Sequence, residues 1–428
     1  MKTEHRIFHV TIIFAFSSLL FVIIHSVLQA ANLDDSMRQA ANLDYHQIRV
    51  TNSGSGRNSL YADMSGNGSK ITFVSDADFL NQSNVVATQA EVWLYDMRSQ
   101  GLTRITTGQA DRDSSSPSIS DDGRWVAFSG DAELLGHSIP IGQDEIWLYD
   151  TESAHLTRLT TGTSDRESNF PQISGDGTKI AFLSTVDFLD QGIATYQREI
   201  WLYDTTTMTV TRVTDGHSSY ATPNINHDGS KLTFHSEGDF LNESLSSGNE
   251  IWLYDTASMT VTRVTNGGSG RHSVMPDISD DGSKITFLSN ADFLGQGIPP
   301  SQFEVWLYDT NTMTVTRVTN GGVGGSSAPA ISSDGASILF QSTTNLLDPN
   351  SEAGKNGTWR YDTSTMTVTL FMEAFGANAA PVPRFTDDGS LGIFSSNVDF
   401  ANQTMVEGSE VWLVAHLPQK VYIPIVMR

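Results

Sequence analysis

Through residues 47–416 apolar and polar positions alternate in short runs, and the alternation breaks at regular intervals on Gly, Asp and Asn. That is the signature of short strands joined by turns. Residues 276–319 show the unit. Pro276 to Ser279 predicts a first strand, and Asp281-Gly282 a hairpin, because a type I′ turn needs positive φ and Asp-Gly supplies it. Lys284 to Leu288 predicts the second strand, Glu304 to Tyr308 the third, and the β-branched run Thr314 to Thr319 the fourth. No stretch of the unit reads as a helix.

The unit repeats. Tryptophan recurs at Trp93, Trp147, Trp201, Trp252, Trp306, Trp359 and Trp412, at spacings of 54, 54, 51, 54, 53 and 53 residues, with Trp125 alone outside the series. The hairpin marker keeps step at Asn67-Gly68, Asp122-Gly123, Asp176-Gly177, Asp228-Gly229, Asp281-Gly282, Asp334-Gly335 and Asp388-Gly389. Seven units of four strands predict an all-β, seven-bladed β-propeller with four-stranded antiparallel blades. A β-helix or open array would use shorter rungs. The last unit stops after Glu410 to Val414 without a fourth strand, and the missing strand stands at the other end, where Ile48-Arg49-Val50-Thr51-Asn52 echoes Thr262-Arg263-Val264-Thr265-Asn266. Residues 47–52 are therefore expected to complete the seventh blade and close the ring, which removes the exposed edges of an open row.

Composition then bounds the rest. The 428 residues read as one propeller, 47–416, preceded by 1–31 and a linker, 32–46, and followed by an apolar tail, 417–428. Lys2 and Arg6 precede an apolar run from Ile7 to Leu28 and the small residues Ala30 and Ala31, the pattern of an export signal. The run is also long enough to span a bilayer, so cleaved signal and anchor both stand as readings, with cleavage preferred. The expected location is outside the cytoplasm: periplasmic, cell-surface or secreted. The chain has no cysteine, which excludes disulfides and lipid attachment at an N-terminal Cys. A net charge of −24 disfavours nucleic acid and anionic membrane as partners, since it repels phosphate at long range. The tail, apolar around Pro424, reads either as packing on the seventh blade or as a recognition segment.

The motif P-x-I-S-x-D-G, followed by I-x-F-x-S and E-I-W-L-Y-D, resembles the TolB-like propeller repeat over about residues 47–416. The resemblance implies WD-repeat-like blades and, often, a secreted or periplasmic binding role. TolB itself carries an α/β domain ahead of its propeller, and the linker 32–46 has no room for one. A role in the Tol envelope complex is therefore not expected from the resemblance.

Loop length points to one face. The second-to-third-strand and inter-blade connections are long and emerge together, so the recognition surface is expected there. On it the S-x-x-D-F-L text places Asp78, Glu133, Asp187, Asp239, Asp292, Asn345 and Asp399 at matching positions. They read either as a cation-binding ring, oxygen ligands suiting calcium, or as turn caps, the preferred reading because every blade needs the turn. Arg57, Arg112, Arg166 and Arg271 read either as a clamp for an acidic group or as partners of neighbouring carboxylates. His217, His235 and His272 are candidate metal ligands only if the ring brings them together, since no H-E-x-x-H spacing is present. There is no G-x-S-x-G elbow and no cysteine nucleophile. The preferred reading is a monomeric, non-enzymatic binding or scaffold protein for a protein, peptide or glycan, with no cofactor or with calcium or another divalent cation. The alternative is a metal-dependent polysaccharide lyase or hydrolase working at the channel mouth.

Overall fold

The computed structural model describes residues 45–416 apart from several loop segments, the longest being 81–88, 347–356 and 374–383. Seven four-stranded antiparallel sheets follow one another around an axis, giving the expected seven-bladed propeller. Blade 1 runs through Ser59–Met64, Lys70–Ser75, Glu91–Asp96 and Gly101–Arg104, from the central channel outwards. In blade 7 the chain supplies Arg384–Phe385, Leu391–Asp399 and Thr404–His416, and the outer strand is Tyr45–Arg49 from the opposite end of the chain. Its register, Arg49 opposite Trp412, matches Arg317 opposite Trp306 in blade 5.

The repeated aromatic residues form the core between blades. Six of the seven tryptophans, Trp93 to Trp359, are fully buried with the phenylalanines of the neighbouring second strands, such as Phe73 and Phe287. The Phe of S-x-x-D-F-L folds back edge-on to the Trp, as in Phe79 on Trp93 at 5.1 Å and Phe293 on Trp306 at 5.0 Å. Such a geometry sets the positive ring edge against the negative face.

Six of the seven blades also carry a buried glutamate in the third strand, Glu91, Glu145, Glu199, Glu250, Glu304 and Glu410. Glu145 accepts from Arg158 Nη2 at 2.9 Å, Thr160 Oγ1 at 2.5 Å and Gly162 N at 2.6 Å. The blade thereby locks its fourth strand and the chain leaving it. Blade 6 has Gly357, Leu370 and Met372 at these three places, so the glutamate, arginine and threonine are lost together. That is what the physics favours, because half of a buried ion pair is worse than none. In blade 7 the box is completed across the closure, Glu410 accepting from Arg49 and Thr51.

A second device joins the blades at the axis. Among the described residues, in six of the seven blades the residue before the hairpin's Asp-Gly or Asn-Gly, or its neighbour, hydrogen-bonds backbone to backbone with the next blade, as in Asp121 N to Gly175 O at 2.9 Å, His227 N to Asp280 O at 3.3 Å and Asp280 N to Ser333 O at 3.0 Å. Blade 6 meets blade 7 through Ser333 Oγ donating to Asp387 Oδ1 at 3.1 Å. The belt closes from blade 7 to blade 1 through Asp387 N to Gly66 O at 2.9 Å.

Candidate cation site at the channel mouth

Antiparallel succession puts the turns after first and third strands at one face and the long connections at the other. The belt of S-x-D-G hairpins lies at the short-turn face. There the seven x positions surround the channel mouth as Gly66, Asp121, Gly175, His227, Asp280, Ser333 and Asp387. Ser and Asp-Gly on either side are held by the turn: Ser279 Oγ donates to Asp281 Oδ1 at 2.8 Å, and Gly282 has a φ of 65°. The x side chain has no such task and points into the lumen.

Three residues earlier a second ring lines the funnel below, with Asp63, Ser118, Gln172, Asn224, Asp277, Ala330 and Arg384. In five blades a bulge in the first strand aims these side chains. The residue two places before takes a left-handed conformation at Tyr61, Ser116, Phe170, Met275 and Ala328, with φ of 52°, 51°, 54°, 53° and 51°, and the pairing register shifts there. An extra residue of this kind bends the strand and re-aims the side chains beyond it.

At the mouth Asp121, His227 and Asp280, from blades 2, 4 and 5, bring one ligand atom each to within 4.8 Å of one another. His227 Nδ1 lies 2.5 Å from Asp121 Oδ2. This meeting across blade 3 depends on Gly175, where a Cβ would stand 2.0 Å from Asp121 Oδ2 and 2.4 Å from His227 Nδ1. Gly66 plays the same part for Asp387, whose Oδ1 would lie 2.0 Å from an added Cβ. Ser333 Oγ donates to that oxygen at 3.1 Å.

The electrostatics are set by crowding. Burial, reinforced by Asp121 and Asp387, pushes the Asp280 carboxyl up to about 7. Burial also raises Asp121 despite its hydrogen bond from His227. For His227 burial works against the charged ring, but the hydrogen bond to Asp121 and the surrounding carboxylates outweigh it and raise the imidazole. The funnel of about 100 Å³ holds five carboxyls, Asp63, Asp121, Asp277, Asp280 and Asp387, against two bases, His227 and Arg384. With all five carboxyls ionised, negative charge is in excess even when both bases are protonated.

This donor set fits a divalent cation. Carboxylate oxygens and an imidazole nitrogen suit manganese or zinc. Ligand atoms about 2.1 Å from a small ion stand about 3 to 4 Å apart, a spacing that the 4.8 Å span of the three side chains brackets.

The residues singled out from sequence lie elsewhere. Arg57 donates to Asp76 O, Arg112 to Asp131 O, Ile139 O and Glu133, Arg166 to Thr185 O and Ile193 O, and Arg271 to Asn290 O and Ile298 O. Each pins the long loop of its own blade, and Arg112 does so partly through the carboxylate of Glu133. Asp187 accepts from the backbone of Gln191, Gly192 and Ile193, Asp292 from Gln296 and Gly297, Asp239 from Glu243 and Asp78 from Leu80. These are turn caps. Asp399 pairs through its backbone with Thr404, its side chain lying outside the described residues, as do His217, Asn345, the segment 1–44 and the tail 417–428. His235 is on the second strand of blade 4, its Nδ1 buried without a hydrogen-bond partner, and His272 Nδ1 accepts from Asn249 N at 3.3 Å. The described histidines of that trio do not form a metal cluster; the histidine that does is His227. The mouth had one sequence signal: x changes freely from blade to blade, while the Gly is constant and the positions on either side of x hold small hydrogen-bonding residues, Ser, Asn or Thr before it and Asp or Asn after it.

No protein-family model and no curated protein sequence matches the chain. Solved structures do. An oligogalacturonate lyase from Vibrio parahaemolyticus is 15% identical, with 87% of this chain and 96% of that one covered and a TM-score of 0.57. An oligogalacturonate lyase in complex with manganese is 15% identical over 86% and 93%, at 0.58. TolB from Acinetobacter baumannii matches at 16% identity over 80% and 83%, at 0.42. At these identities the likeness to the lyases establishes a shared propeller fold. Among the described residues no helix is long and apolar enough to cross a membrane.

Proposed function

We propose that this chain is an exported, non-enzymatic binding propeller of the TolB-like kind that takes up a divalent cation at its channel mouth and presents it to a protein, peptide or glycan partner outside the cytoplasm. The observation that carries the reading is the convergence of Asp121, His227 and Asp280 from three blades over a glycine that leaves them room. The mouth carries it rather than the long-loop face, because the arginines and most aspartates of that face are already engaged by their own loops. Export is supported by the basic start and apolar run of residues 1–31.

The test is a calorimetric titration of metal-free full-length protein with Mn²⁺, repeated on His227→Ala. One ion per chain, with affinity falling at least tenfold in the variant, is expected. A wild-type titration without binding heat, and without stabilisation by Mn²⁺, Ca²⁺ or Zn²⁺, refutes the reading.

A metal-dependent polysaccharide lyase is the second reading, favoured by the manganese complex of a structurally similar lyase and the donor set found here. Charge argues against an anionic polymer at this mouth. Five carboxyls against two bases and one divalent ion still leave the funnel negative when all are ionised, which repels a polyuronate. Release of unsaturated sugar from a glycan panel by the Mn²⁺-loaded protein would favour the lyase over the binding reading.

A further inference from the structure

Below the mouth, the second ring repeats the same electrostatic problem and solves it differently. Asp63 and Asp277 each turn one carboxylate oxygen to a neighbouring blade, Oδ2 of Asp63 accepting from Ile119 N at 3.0 Å and Oδ2 of Asp277 from Ile331 N at 2.9 Å. The other oxygen of each is turned to Arg384, which enters from blade 7. Its Nε lies 3.8 Å from Asp63 Oδ1, its Nη1 3.5 Å from Asp277 Oδ1 and its Nη2 3.4 Å from Gln172 Oε1. One guanidinium thus spans the lumen and meets oxygens from blades 1, 3 and 5. All three contacts are longer than the 2.7–2.9 Å of a charge-assisted hydrogen bond, so the guanidinium acts here as a central charge rather than as a fitted fork. Two carboxylates and an amide oxygen around a point of positive charge are the donor set of a hard-cation site.

We infer that the second ring is a cation site permanently filled by the chain's own Arg384, and that this residue limits the funnel to one exchangeable cation. The inference builds on the mouth reading but concerns different residues. Removing the positive charge while keeping the fold leaves Asp63, Asp277 and Gln172 facing one another across the lumen, with nothing to balance them. A divalent ion from solution then takes the place of the guanidinium.

The experiment counts bound Mn²⁺ per chain in full-length wild type, Arg384→Gln, Arg384→Lys and the double variant Arg384→Gln/Asp63→Asn, by calorimetry and by loss of the free-ion paramagnetic resonance signal. Expected values are one ion for wild type, two for Arg384→Gln, one for Arg384→Lys, whose ammonium still fills the ring, and one for the double variant. One ion in both wild type and Arg384→Gln overturns the inference and leaves the mouth reading intact. No ion in wild type but one in Arg384→Gln, lost with Asp63→Asn, refutes the mouth reading and upholds this one. Should Arg384→Gln be unfolded in metal-free buffer, recovery of its native circular dichroism on adding Mn²⁺ supports the inference, because an ion bound only by the folded state stabilises it. Failure to recover overturns it.

Discussion

Replacing Glu410 by Gln isolates what the ring closure contributes. The Glu410 side chain is 4% exposed, and its carboxylate accepts from Arg49 Nη2 at 2.6 Å, Thr51 Oγ1 at 2.5 Å, Ser53 N at 2.9 Å and Ser53 Oγ at 3.0 Å. All four donors belong to the N-terminal segment, some 360 residues away along the chain. Breaking a buried pair by changing one partner costs about 3–5 kcal/mol. Arg49 is 30% exposed, so water recovers part of its charge and the lower end applies, about 3 kcal/mol. Unfolding entropy of about 2.1 cal/mol/K per residue makes that about 4 °C of melting temperature for the whole ring. The sharper readout is native-state hydrogen exchange. The amides of residues 48–50 and 411–414 should exchange about a hundredfold faster, since local opening of the outer strand becomes easier by the same energy. Glu145→Gln, the equivalent change in blade 2, should lower the melting temperature similarly while leaving those amides protected. If Glu410→Gln leaves exchange at 48–50 unchanged, the closing strand is not held by this box.

Three further outcomes rest on the same structure. Gly175→Ala places a methyl between Asp121 and His227, so Mn²⁺ affinity should drop at least tenfold in calorimetry while the blade 3 strands keep their exchange protection; unchanged affinity would refute the three-blade site. Burial holds His235 down to about 4; since the unfolded chain takes up that proton at about 6.5, stability is full above that pH and is lost as pH falls towards 4. His235→Leu should flatten urea-measured stability across that window. Asp144 is the opposite case, pushed up to about 7 by burial and by Asp131, Glu167 and Asp113. The native state then holds a proton the unfolded chain has lost, so stability falls as pH rises from about 4 to 7. Asp144→Asn should raise the melting temperature at pH about 8 and leave it nearly unchanged at pH about 4, and equal effects at both would refute the assignment.

Blade number, strand order and closure were legible in the chain because each depends on a local pattern repeated seven times. A Trp about every 53 residues, an Asp-Gly in step with it and an orphan I-R-V-T strand leave little freedom once four-stranded sheets must bury both faces. The buried glutamate boxes were present in the same text, in E-[IV]-W-L-Y-D and T-R-V-T, but nothing local shows that the Glu and Arg of these motifs meet inside the blade. Loop length directed attention to the long-loop face. There the arginines and aspartates prove to serve their own loops, for a physical reason: a long connection must satisfy its backbone groups, and charged side chains beside it are the nearest donors and acceptors. The mouth was decided only by tertiary structure. Asp121 and His227 are 106 residues apart, and His227 and Asp280 lie in separate blades. They meet because the ring returns equivalent hairpins to one axis, and because glycine at 175 leaves between Asp121 and His227 a space no sequence pattern reveals. What the sequence determined by itself was the number, order and antiparallel pairing of the strands and the aromatic core they repeat, because each rests on a local pattern; what only closure decided was which seven residues share the same few ångströms of channel.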